Sequence, residues 1–137
     1  MGVVLDASAV LALLHDEPGA HVVESVLPDA MISSVNLAEV IGKLSAVGMP
    51  EETIRAAIGA FALEVVSFDE ELGYRTGLLY RATQPYGLSL GDRACLALGL
   101  QRNLPVITAD RTWSSLKLTI DIKVIRWTDR RKGGRLS

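Results

Sequence analysis

Short runs of apolar, β-branched residues recur along this chain, separated by stretches in which apolar residues fall at helical spacing. This alternation constrains the fold more than any other feature. Val3-Val4-Leu5 opens the pattern and stops at Asp6, and the apolar helical stretch Ala9-Val10-Leu11-Ala12-Leu13-Leu14 follows at once. Pro18-Gly19 breaks that helix, a short amphipathic piece carries Val22, Val23 and Val26, and Pro28-Asp29 precedes a second strand over 30–33. The next helix begins immediately, with Ser34 or Asn36 as its cap and Asn36 and Glu39 at capping-box spacing. Leu37, Val40, Ile41 and Leu44 form its apolar stripe, and Gly48 and Pro50 end it. Pro50-Glu51-Glu52 starts a helix with Ile54, Ile58 and Phe61 on one side, and 63–66 reads as a strand. Asp69 caps a helix predicted to reach about Thr83, and Ser89 leads into a nearly all-apolar helix over 90–101. A buried strand at 105–108 ends near Asp110. A short helix near 113–116 and a last strand over 123–126 complete the order.

Strands alternating with helices predict an α/β fold: a central parallel β-sheet of about four to five strands flanked by helices. A chain of 137 residues, 49% of them hydrophobic, can bury one proper core but not two ordinary ones. Residues 1–128 therefore read as a single domain and 129–137 as a basic C-terminal tail, a solvated disordered end being one reading of it. No apolar run is long enough to span a membrane and the first residues lack a secretory leader, so a soluble cytoplasmic protein is expected. The single Cys95 excludes an internal disulfide and a cysteine-rich metal cluster, and its apolar surroundings predict a buried thiol.

The formal net charge is -2, which by itself does not point to nucleic acid. The tail carries Arg130, Arg131, Lys132 and Arg135 and no acid, so the remainder holds 10 basic against 16 acidic residues, a balance of -6. Such a tail suits attraction of RNA, a protein partner, or plain solvation.

Three acids fall where open α/β sheets place their chemistry, at the carboxyl ends of strands or the helix starts that follow. Asp6 and Asp110 follow the first strand and the 105–108 strand, and Asp92 lies in the first turn of the helix between them in sequence. Glu39 stands just over a turn into the helix after the second strand. Each has an ordinary structural reading as a turn, cap or first-turn acid. Gathered at one rim, the four would repel one another unless a proton or cation compensated. Oxygen ligands without histidine or cysteine suit Mg²⁺ or Mn²⁺, and the implied chemistry is phosphodiester hydrolysis. Ser8 and Thr108, each two residues from an aspartate, are the supporting polar candidates.

Four segments carry a family resemblance: Val4-Leu5-Asp6-Ala7-Ser8-Ala9, Asn36-Leu37-Ala38-Glu39-Val40, Leu90-Gly91-Asp92-Arg93-Ala94-Cys95 and Leu104-Pro105-Val106-Ile107-Thr108-Ala109-Asp110. In order and spacing, from Val3 to about Trp127, they resemble the PIN-domain family, and more closely the VapC-type toxin ribonucleases of bacterial type II toxin-antitoxin pairs. The resemblance implies a parallel sheet with flanking helices and Mg²⁺- or Mn²⁺-dependent cleavage of tRNA, rRNA or mRNA. It also implies homodimers neutralised by a small antitoxin protein. By the same resemblance Asp6, Glu39, Asp92 and Asp110 match the acidic quartet, as catalytic and metal-binding residues together, and Ser8 and Thr108 match polar positions beside it.

Other readings are weaker. A haloacid-dehalogenase-type enzyme would need a second aspartate where Ser8 stands, and a receiver domain a paired acid cluster and a late lysine that cannot be placed in this sequence. No glycine-rich phosphate loop is present, and His15 and His21 read as surface residues. The alternative from another class is a non-catalytic PIN-like module that holds RNA or protein without cutting. Arg75, Arg81, Arg93 and Arg111 are candidate RNA contacts, while Trp113 and Trp127 read first as packing residues. The amphipathic stretches 22–26 and 37–47 either pack in the core or leave an apolar groove for an antitoxin helix.

Overall fold

A computed structural model describes residues 2–126. The sheet is built outward from β1 (Val3–Leu5), with β2 (Ala30–Ser33) and β3 (Glu64–Val66) on one side and β4 (Val106–Thr108) and β5 (Ile122–Val124) on the other. The order is β3-β2-β1-β4-β5 and every neighbouring pair is parallel, as the alternation of elements requires. The helices among the described residues are α1 (Ala7–Leu14), α2 (Ala20–Val26), α3 (Ser34–Ala46), α4 (Glu51–Gly59), α5 (Glu70–Leu78), α6 (Tyr80–Thr83) and α7 (Leu90–Arg102). None is long and apolar enough to cross a membrane.

Because successive strand residues point to opposite faces, each central strand feeds two cores. Val4, Met31 and Val106 pack on one face with Leu72 of α5, with Cys95, Leu96 and Leu98 of α7, and with Trp113. Leu5, Ile32 and Ile107 pack on the other with Ala9 and Val10 of α1, Val23 of α2, Val40 and Leu44 of α3 and Ile54 of α4. Helix α7 is buried continuously from Ala94 to Gly99, which explains why its sequence lacks a polar face. Cys95 is a buried free thiol, pushed up in pKa by that burial, and Trp113 is fully buried, both as the sequence predicts. His15 and His21 lie exposed, also as read.

Local details differ from the sequence reading. Ser33, the last residue of β2, caps α3 by accepting from Val35 N–H at 3.2 Å, so strand leads into helix without a loop, and neither Ser34 nor Asn36 is the cap. The helix predicted from Asp69 to about Thr83 is two pieces, α5 and α6, followed by a 3₁₀ turn over 84–86. The break falls where Leu79 N–H bonds Thr76 O in a tightened turn and the Thr83 hydroxyl bonds back to Leu79 O. The short helix is a 3₁₀ turn over Arg111–Ser115 that starts at Asp110, and β5 is shorter than predicted. Val23 lies in the core, whereas Leu37 and Ile41 line an apolar groove between α3 and α4. Trp127 and the basic tail, 129–137, lie outside the described residues.

Candidate active site

The chain moves from β1 to β2 on one side of the sheet, while β4 flanks β1 on the other. Such a switch point opens a crevice beyond the strands' carboxyl ends. Asp6 sits at its floor, 3% exposed, as the N-cap of α1. It accepts from Ala9 N–H at 2.8 Å, from the Ser8 hydroxyl at 2.7 and 2.9 Å, and from the Thr108 hydroxyl at 2.5 Å. The same hydroxyls also accept: Ser8 from Ala109 N–H at 2.8 Å, Thr108 from Asp110 N–H at 3.0 Å. Two side chains thus lock the ends of β1 and β4 around one carboxylate.

Asp92 lies in the first turn of α7 and closes a capping box with Ser89, accepting from Ser89 N–H at 2.9 Å. Asp110 caps the 3₁₀ turn, accepting from Thr112 N–H and hydroxyl at 2.9 and 2.8 Å through one oxygen. Glu39 Oε1 accepts from the Asn36 amide at 2.8 Å. Asp6, Asp92 and Asp110 therefore also fill their structural roles as strand-end, first-turn and cap acids, whereas Glu39 closes no capping box: it takes the Asn36 side-chain amide, and the cap of α3 is Ser33. These bonds occupy a single oxygen of Glu39, Asp92 and Asp110, and the second oxygen of each has no hydrogen bond among the described residues.

All four acids nonetheless line one pocket of about 290 Å³, together with Ala7, Ser8, Leu11 and Lys43. Thr108 is fully buried and does not line the pocket itself, touching it through Asp6 and through the Ser8 hydroxyl at 3.2 Å. Lys43, one helical turn after Glu39, was not singled out from the sequence; its i, i+4 spacing on the face of Glu39 was the available signal. Arg93, by contrast, donates to Leu88 O at 3.1 Å and lies over the Tyr80 ring at 5.1 Å, so the guanidinium is already engaged.

Burial pushes the Asp6 carboxyl up to about 6, against the donors from Thr108, Ala9 and Ser8, and nearby Asp92 adds to the rise. Asp92 is raised as well, first by burial and then by Asp110, with Ser89 and Arg93 opposing. Asp6 thus holds a buried charge whose hydrogen-bond partners among the described residues are all neutral. Among the described residues no three acids already converge as a cation cage. The donor set still fits a hard divalent cation: oxygens only, three carboxylates each with an uncommitted oxygen, and a buried charge in need of compensation. A larger apolar groove, about 510 Å³, lies apart from this chemistry between α3 and α4.

Fold and pocket together define a class, an α/β domain with an acidic crevice at the switch point of a parallel sheet. The chain belongs to the PIN domain family, whose model matches residues 3–117. No curated protein matches its sequence. Among solved structures it is similar to a chain of Rickettsia felis VapBC2 bound to a promoter DNA fragment, at 16% identity over 90% of this chain and 98% of that one, TM-score 0.71. A chain of DNA-bound VapBC from Salmonella typhimurium gives 20% identity over 90% and 98%, TM-score 0.71. The sarcin-ricin-loop-cleaving toxin VapC20 of Mycobacterium tuberculosis gives 15% over 83% and 94%, TM-score 0.67. At these identities the likeness is one of fold.

Proposed function

We propose that this chain is the toxin of a type II toxin-antitoxin pair, a divalent-cation-dependent ribonuclease that hydrolyses RNA phosphodiester bonds in tRNA, rRNA or mRNA. The observation that carries the reading is the convergence of Asp6, Glu39, Asp92 and Asp110 on one pocket at the switch point. Membership of the PIN family and fold neighbours from VapBC complexes support it.

Asp6, Glu39, Asp92 and Asp110 would hold Mg²⁺ or Mn²⁺, which supplies Lewis acidity toward water and phosphate. Ser8 and Thr108 keep Asp6 in place: both hydroxyls donate to it while their own oxygens are fixed by the backbone of β4's exit. Lys43 at the pocket wall supplies a positive charge for the RNA backbone. An antitoxin is the proposed protein partner, and the apolar groove lined by Leu37, Ile41, Met49, Ile54 and Ile58 is the proposed seat for its apolar side chains. A homodimer in the cytoplasm completes the proposal, and exposed Tyr74, Leu78 and Tyr80 offer apolar surface for it.

The test is cleavage of structured RNA by the purified, partner-free chain. Cutting should appear with Mg²⁺ or Mn²⁺ and stop with EDTA. RNA bound but left whole with both metals would make the chain a binding module.

A further inference from the structure

We propose that Asn36 and Gly91 are positioning residues that set where the Glu39 carboxylate stands in the acidic pocket, Asn36 by holding it and Gly91 by leaving room for it. The proposal rests on the metal-site reading above and adds to it two residues outside the quartet.

Asn36 is 1% exposed, three residues before Glu39 on α3. Its Nδ2 donates to Glu39 Oε1 at 2.8 Å and to Gly91 O in the first turn of α7 at 3.0 Å. One amide group therefore registers Glu39 against the backbone next to Asp92, tying together acids from two helices. The other end of that amide, Oδ1, is buried with no hydrogen-bond partner among the described residues. Burying an unpartnered oxygen is unfavourable, and a leucine or alanine would avoid it. Turning the amide over would set Oδ1 against two acceptors, so the orientation follows from its neighbours.

Gly91 shows the complementary half. It lies inside α7 and is not among the positive-φ residues, so the backbone does not require glycine, and alanine would favour the helix. Space does require it: a Cβ here would stand 2.5 Å from Glu39 Cδ and Oε1, and closer still to Oε2. Since the obstructed group is the end of a flexible side chain, alanine would displace the carboxylate and leave the helix intact. Gly42 on α3, exposed and with open space where its Cβ would be, is a matched control.

The experiment is Mn²⁺ binding to the full chain by calorimetry or electron paramagnetic resonance, with thermal midpoints measured in parallel. Gly91→Ala should weaken Mn²⁺ binding roughly 10- to 100-fold, with the midpoint unchanged or raised, and Gly42→Ala should bind as the wild type does. Asn36→Ala should weaken binding in the same sense. In a Glu39→Ala background, Gly91→Ala should have no further effect, because it acts through that carboxylate. Wild-type affinity in Gly91→Ala, or an equal loss with and without the Glu39 carboxylate, would overturn the positioning role while leaving the metal site standing. A wild-type chain that binds no Mn²⁺ would remove the metal site itself, and this proposal with it.

Discussion

Replacing Asp6 by asparagine should change how the cation-free chain responds to pH. Asp6 is buried, and its carboxyl titrates near 6 in the folded state against 3.8 in the unfolded chain. The folded protein therefore binds this proton more tightly than the unfolded one. The resulting stability is fully present below about pH 3.8 and is lost progressively as pH rises through about 6. The gap, at about 1.4 kcal/mol per pH unit, amounts to roughly 3 kcal/mol. Asparagine does not titrate, and most other groups contribute equally to both proteins. The stability of the wild type minus that of Asp6→Asn should therefore fall by roughly 3 kcal/mol between about pH 3.5 and pH 7, as measured by urea denaturation in EDTA. Mg²⁺ or Mn²⁺ should restore much of the loss at neutral pH in the wild type and little in the variant. A difference between the two proteins that stays flat across the range would refute the claim that Asp6 is a buried, uncompensated charge.

Thr108→Val removes the shortest donor to Asp6 and the acceptor of Asp110 N–H, so the chain should lose roughly 1–3 kcal/mol at neutral pH in denaturant melts. Because that hydroxyl holds the Asp6 pKa down, the acid limb of the cleavage profile should also move to higher pH in this variant. Gly99→Ala places a methyl 2.6 Å from Val106 Cγ2 at the junction of α7 and β4; it should cost about 1–3 kcal/mol in the same melts and leave cleavage per folded molecule unchanged. A single 2′-deoxy substitution at the cleavage site of an RNA substrate should leave cutting intact, since water attack does not use the 2′-hydroxyl, and product mapping on a gel reads this directly.

The order of elements and the parallel sheet were legible because apolar runs as short as Val3-Val4-Leu5 only make sense as strands buried on both faces. The structure splits Val4 and Leu5 between two cores for that reason. Asp6, Asp92 and Asp110 were legible as strand-end or helix-start acids, and Ser8 and Thr108 by their nearness to them. Less was visible wherever the deciding partner lies far along the chain. Asn36 looks like a helix cap in sequence, yet its amide is used across 55 residues on Gly91 O, while Ser33 does the capping. Gly91 looks like a flaw in a helix until Glu39 is seen filling the space above it. The break after Leu78 has no proline to announce it, because a tightened turn and a threonine hydroxyl make it. Lys43 carries no motif and enters only through the wall of the pocket.

The central claim is that the four carboxylates form one cation-dependent cutting site. The most direct test is RNA cleavage by the wild type and by Asp6→Asn and Asp92→Asn, each checked for folding, with Mn²⁺ and with EDTA. The account predicts cleavage by the wild type that needs the metal and that both substitutions abolish, while the variants still bind RNA. Cleavage that survives the chelator, or that persists in either folded variant, would contradict it.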